Sequence, residues 1–137
     1  MADEVRQVEH FSVSISNKVG EGARVLGMLR DAGVNFIAIW GYPRGTGRAQ
    51  LELIPENGAA LIAAAKQAKL RLKKSTAFYI HGDERPGAVA DTLRKLADAR
   101  ISVGALQAIC GGTGTYGAVV FLPTSANKKA ATVLGAA

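Results

Sequence analysis

Cysteine is nearly absent from these 137 residues: Cys110 stands alone. An internal disulfide is therefore excluded, and a reducing compartment suits the chain. No apolar run approaches the ~18 residues that a membrane-spanning helix needs. The first residues, "MADEVRQVEHFSVSIS", show no basic stretch followed by an apolar core, so they do not read as a signal peptide. The expectation is a soluble cytoplasmic protein. There are only two histidines, His10 and His81. Neither stands near Cys110 in sequence, so no metal cluster or thiol-imidazole pair is expected, and no cofactor. Hydrophobic residues at 48% and charged residues at 20% give a globular composition.

Acidic residues are also in short supply: 11 against 17 basic ones, a formal net charge of +6. Five of the basic residues fall in "KQAKLRLKK", Lys66 to Lys74. Clustered cations attract phosphates, but no aromatic stacking platform accompanies this run. It reads better as a solvated helix end running into an edge strand, where lysines discourage aggregation.

An internal repeat is present. Phe11 aligns with Phe78, Gly20 with Gly87, and Gly45-Thr46-Gly47 with Gly112-Thr113-Gly114, all at one offset, since 78−11 = 87−20 = 112−45 = 67. Without a gap, 11 of the 37 positions from Phe11 to Gly47 are identical, where chance would give about three. The chain is a duplication.

Both copies carry the same pattern. In "HFSVSIS", Phe11, Val13 and Ile15 alternate with serines, as in a half-buried strand. "GEGARVLGMLRDAG" sets Val25, Leu29 and Ala32 at helical spacing and ends at Gly33, a suitable cap. "VNFIAIWGY" and "AQLELIP" form a strand pair, "GAALIAAAKQAK" a helix, and "LRLKKSTAFYIHG" an extended segment. The second copy follows with helix "PGAVADTLRKLADAR", Val89, Leu93 and Leu96 inward, then strands "ISVGALQAI" and "YGAVVFLP" and helix "SANKKAATVLGA". The order β-α-β-β-α-β predicts an α+β fold of two tandem ferredoxin-like domains, with antiparallel sheets and helices on one face. The domains are expected at residues 1–74 and 75–137. Copy two has no fourth strand of its own, and residues 4–8 fall in that place at the same offset. They are expected to complete its sheet.

Two loops join a first strand to its helix: "SNKVGEG", Ser16 to Gly22, and "GDERPGA", Gly82 to Ala88. Each places glycine where a helix begins, and a helix N-terminus offers unpaired amides that bind carboxylates. A tight strand-to-helix turn explains the same residues equally well, and spacing alone does not choose. "GYPRGTG" and "GGTG", by contrast, lie between two strands. A phosphate-binding loop runs from a strand into a helix and carries a Lys-Ser/Thr pair, so these glycines read as hairpin turns.

"DERPGAVADTLRKLADARIS" resembles the signature of ACT domains, a family of small ligand-sensing modules, and Gly33-Val34-Asn35 resembles their lead-in to the second strand. The resemblance spans nearly the whole chain, as two tandem ACT domains. It implies a non-enzymatic protein whose domains pair side by side through their second strands. A small amino acid would lie between the first loop of one domain and the second strand of its neighbour. The two asparagines that help hold it in serine-regulated dehydrogenases match Asn17 and Asn35. Copy two has Glu84 and Ser102 there, and Pro86 where copy one has Val19, so the two sites are chemically unequal. The implied binding set is Asn17, Lys18, Val19, Gly20, Asn35, Glu84, Arg85, Pro86, Gly87 and Ser102. An exposed sheet edge or face would favour a homodimer, and a sensor of this kind is expected to act through a partner such as a metabolic enzyme. Two alternatives stand beside it. One is an interaction subunit that binds no ligand. The other is a basic nucleic-acid-binding protein, disfavoured because the third strands, "RAQLELI" and "TYGAVVF", lack the aromatic motif of RNA-binding sheets.

Overall fold

The serines of "HFSVSIS" stand on one face of a strand and its apolar residues on the other, and everything in the first copy is built on that division. The computed structural model describes residues 3–136. Among them the first copy supplies β1 (Glu4–Ser16), α1 (Glu21–Asp31), β2 (Phe36–Pro43), β3 (Arg48–Pro55) and α2 (Gly58–Gln67). The second supplies β4 (Lys73–Asp83), α3 (Ala88–Asp98), β5 (Ala105–Cys110), β6 (Thr115–Phe121) and α4 (Asn127–Leu134). The fold is α+β with antiparallel strand pairs, as expected.

Two compact units result, each with its own core. One is Glu9–Ser75; the other joins the chain up to Val8 with the chain from Thr76 onward. The division falls inside β1 and inside β4. In the Glu9–Ser75 unit, β1 pairs antiparallel with β3, and β3 with β2. Phe11, Val13 and Ile15 of β1 and Leu51 and Leu53 of β3 form one buried cluster with Val25 and Leu29 of α1 and Leu61 of α2. The helices therefore cover that face only. In the other unit β4 pairs antiparallel with β6, and β6 with β5. Phe78 and Ile80 meet Leu96, Val120 and Leu134 there, and Val5 packs against the same cluster. Phe11 and Phe78, and Leu29 and Leu96, occupy equivalent positions and are all buried. Each such side chain contributes about 1.5–3 kcal/mol.

Several details differ from the sequence pattern. Ala32 is exposed, because α1 has already ended at Asp31. In α3 the buried residues are Ala88, Thr92 and Leu96, while Val89 and Leu93 are half-buried; the core face is turned by one position from the predicted stripe. Strand β5 starts at Ala105 rather than Ile101. The Ile101 amide still bonds the Leu96 carbonyl at 2.9 Å, closing the helix end, so the chain becomes extended only later. Likewise β4 starts at Lys73, after the Leu70 amide has bonded the Ala65 carbonyl at 2.8 Å.

Strands β2 and β5 each pair with one neighbour among the described residues. No helix among those residues is long and apolar enough to cross a membrane. Deleting residues 1–8 removes Val5 from the core around Phe78. The expected loss is about 2 kcal/mol or more in that unit alone. Amide-exchange protection in β4–β6 should fall while that in β2–β3 holds; unchanged protection in β4–β6 would refute the docking.

Candidate functional site

Both strand-to-helix loops are pinned in the same way. The Asn17 amide donates to the Gly47 carbonyl at 3.0 Å, and the Glu84 amide to the Gly114 carbonyl at 2.9 Å. The hairpin glycines thus hold the loop at the end of the sheet. Gly20 and Gly87 follow with φ of +88° and +80°, each as the residue that starts a helix. An added Cβ would meet nothing within 4 Å at either glycine. Glycine is required there by the left-handed backbone, not by crowding.

In the unit from Thr76 onward, this loop opens on a cavity of about 260 Å³. One wall is Glu84, Arg85 and Gly87 with the first turn of α3, Ala88 to Ala90. The other is the end of β5, Ala108, Ile109 and Cys110, with Tyr116 of β6. The topology makes this meeting necessary. β4 and β5 both run antiparallel to β6, hence parallel to each other. The loop after β4 and the last residues of β5 therefore share one end of the sheet.

The amides of Val89 and Ala90 make no hydrogen bond among the described residues. Unpaired first-turn amides carry partial positive charge. The Glu84 carboxylate lines the same cavity, close to Cys110. Partial desolvation, with the Glu84 charge beside it, holds the Cys110 thiol above its ordinary range. The thiol is thus the protonated form at neutral pH, a weak nucleophile and a soft wall. Ile109 is 78% exposed and offers an apolar surface.

Arg85 is committed elsewhere. Its guanidinium forks onto the Asp3 carboxylate at 3.1 and 3.2 Å and also donates to the Asp83 carbonyl at 3.0 Å. The Tyr116 hydroxyl donates to the same carboxylate at 2.7 Å. Gly82 makes this possible, since a Cβ there would overlap the Asp3 carboxyl group. The Arg85 bonds hold the Asp3 carboxyl below its usual range. Burial, with the Asp3 charge beside it, pushes the Tyr116 phenol up to about 12.

Of the residues predicted for binding, the structure brings Glu84, Arg85 and Gly87 to the cavity. Pro86 is exposed in the same turn. Asn17, Lys18, Val19 and Gly20 are all exposed in the equivalent turn of the other unit, Val19 fully. Asn35 and Ser102 are exposed just before β2 and β5. Within each unit that is the opposite end of the sheet from the loop, so Asn17 does not meet Asn35, nor Glu84 Ser102. The Asn35 carbonyl accepts from the Glu56 amide at 3.0 Å, a structural bond. Ala108, Ile109, Cys110, Tyr116 and Asp3 were not foreseen. Their place follows from the strand pairing, since Cys110 and Gly82 both pair with Tyr116 of β6 from its two sides.

The model of the ACT domain pair family matches residues 6–135. Among solved structures, a protein from Bacteroides thetaiotaomicron aligns with a TM-score of 0.83 at 18% identity, covering 96% of this chain and 88% of that one. The ligand-free regulatory subunit of aspartate kinase from Thermus thermophilus aligns with a TM-score of 0.64 at 12% identity, covering 98% and 93%. The corresponding subunit from Thermus flavus gives 0.58 at 15%, covering 98% and 94%. No curated protein matches the sequence significantly.

The raised Tyr116 phenol makes a sign-definite prediction. A folded-state value near 12 against about 10 unfolded gives stability that is complete below about pH 10 and is lost as pH rises toward 12. The size is of order 2 kcal/mol. Denaturant midpoints between pH 9 and 12 should show this loss, and Tyr116→Phe should flatten it.

Proposed function

The chain belongs to the ACT domain pair family, and we propose that it is a non-enzymatic regulatory protein that binds a small amino acid. The observation that carries this reading is the cavity beside α3, which is lined by both free helix-start amides and a carboxylate. An amino acid at neutral pH is a zwitterion, and it needs both. Its carboxylate accepts from the Val89 and Ala90 amides. Its ammonium donates to Glu84. Its side chain lies against Ala108 and Ile109. At about 260 Å³ the cavity falls below the ~300 Å³ from which drug-sized pockets begin, which favours a small ligand. Arg85 supports the site through Asp3 rather than by holding the ligand.

In the Glu9–Ser75 unit the same turn carries Asn17 in place of Glu84, with Lys18, Val19 and Gly20 around it. An amide oxygen accepts more weakly from an ammonium than a carboxylate does, so this second site is the weaker one. Asn35 and Ser102 take part only if a neighbouring domain presents them. The open edges of β2 and β5 suit a homodimer. A metabolic enzyme as regulated partner is supported by two of the similar structures, which are regulatory subunits of aspartate kinase. Regulation then requires that the ligand favour one of two arrangements.

A thermal-shift screen of the twenty amino acids tests the reading. A specific ligand at a hundred times its Kd adds ~2.7 kcal/mol of stability. Glu84→Gln should weaken that ligand about tenfold, equal to 1.4 kcal/mol, while Asn35→Ala leaves it unchanged. The reverse pattern would move the site to Asn35. A flat response to all twenty would favour an interaction module without ligand.

A further inference from the structure

The sheet face turned away from the helices differs sharply between the two copies. In the Glu9–Ser75 unit it carries a closed polar network. Glu52, only 6% exposed, accepts from His10 Nε2 at 2.8 Å, Tyr42 Oη at 2.5 Å and Gln50 Nε2 at 2.8 Å. With Nε2 donating to the carboxylate, His10 Nδ1 is the acceptor for the Ser75 hydroxyl at 2.6 Å. The imidazole also stacks on Trp40 at 5.9 Å and 17°. A buried carboxylate costs several kcal/mol unless every oxygen is answered. Here three donors answer it.

The second copy is an internal control. At the offset of 67 residues, His10, Ser12, Tyr42, Gln50 and Glu52 become Ala77, Tyr79, Ile109, Gly117 and Val119. The strand register is the same: Phe11 faces Leu53 as Phe78 faces Val120. The sheet thus forms without the network, and the fold does not explain it.

What the network leaves free points to its use. A cavity of about 310 Å³ opens over it, lined also by Ser12, Arg44 and Lys73. All of these residues belong to the Glu9–Ser75 unit. The Ser12 hydroxyl and the Lys73 ammonium have no partner among the described residues. Arg44 donates to Gln50 Oε1 at 3.2 Å and lies against the Tyr42 hydroxyl, and its guanidinium has further N–H groups to give. Glu52 also lines the cavity and keeps its charge, but its oxygens are held by three neutral donors, and the two cations outnumber it, so the cavity is net positive with a free hydroxyl beside it. A cation would be repelled there, and a neutral ligand would leave both charges unused.

We propose that this face binds a small oxyanion, a carboxylate or a phosphate, gripped by Arg44 and Lys73 with Ser12 donating, above a floor held rigid by Glu52. Arginine offers the fork that either group accepts, and lysine adds a point charge. The site is separate from the cavity beside α3 and does not rest on the amino-acid reading.

The test titrates the full chain with sodium malonate and with inorganic phosphate, against sodium chloride at matched ionic strength, by calorimetry and by NMR shifts of the Ser12 and Arg44 signals. Malonate, phosphate or both should bind in excess of chloride, and whichever binds identifies the source of the oxyanion. Arg44→Ala with Lys73→Ala, both side chains at the surface, should weaken binding by at least about tenfold. Arg94→Gln, an exposed cation that lines neither cavity, should leave it unchanged. Binding no better than chloride, or binding undiminished in the double variant, overturns the proposal. Should the alanine pair fold poorly, Arg44→Gln with Lys73→Gln gives the same reading.

Discussion

Two hydrogen bonds fix where chemistry can happen in this protein: Asn17 amide to Gly47 carbonyl, and Glu84 amide to Gly114 carbonyl. Each ties the residue that leaves the first strand to the last glycine of a hairpin. That hairpin glycine, at φ of +68° or +81°, turns its carbonyl toward the loop in a conformation L side chains resist. Once the loop is pinned, a second left-handed glycine starts the helix and leaves its first amides open. The cavity beside α3 is the space left between those amides and the end of β5. The glycine-rich turns, which invite a phosphate-binding interpretation, thus act at one remove, by holding the loop that lines the site.

The duplication kept this frame and changed what hangs on it. In the unit from Thr76 onward, the loop end is rich in functional groups: Glu84, the Asp3–Arg85–Tyr116 cluster and a protonated thiol at Cys110. Its outer sheet face is plain at the matching positions, with Ala77 and Val119. In the Glu9–Ser75 unit the emphasis is inverted. Its loop carries an exposed Val19 and a neutral Asn17, while its outer face carries His10, Glu52 and their partners. Each copy thus serves as the control for the other. A feature present in one and replaced by apolar residues in its twin is not demanded by the fold.

The repeat was legible in the sequence because it rests on backbone demands that only a few residues meet. Glycine at 45, 47, 112 and 114 answers positive φ in all four places, and Phe11 and Phe78 fill equivalent cores. Where a demand is softer, the signal fades. Gly33 closes α1 in the left-handed region, but its twin is Arg100, at φ of +60°, so the shared turn is invisible in residue identity. The helix face of α3 was misjudged because Thr92, a polar residue, is buried while Val89 and Leu93 lie at its margin. The cavity was half legible. Its loop wall is a local matter of Glu84 to Gly87, whereas its strand wall depends on which ends of β4 and β5 coincide. No residue pattern announces that; it follows only once the pairings are known. The polar face was the least legible, since His10, Tyr42, Glu52 and Ser75 are far apart in sequence and each alone reads as a surface residue.

Asp3 shows how closely the site and the start of the chain are joined. An arginine beside a cavity that holds free amides would ordinarily be read as a second clamp for a carboxylate. Here its fork is filled by Asp3, which lies 82 positions earlier, and the remaining oxygen geometry is closed by Tyr116. A ligand could recruit Arg85 only by displacing a charge-assisted, two-point contact that is partly shielded from water. Such contacts are about twice as strong as neutral hydrogen bonds, and leaving Asp3 unpaired would add the cost of an unanswered carboxylate. The cheaper arrangement leaves Arg85 in place and puts the ligand on the backbone amides. The guanidinium then acts as part of the wall, and the order of the wall depends on the docking of the first strand.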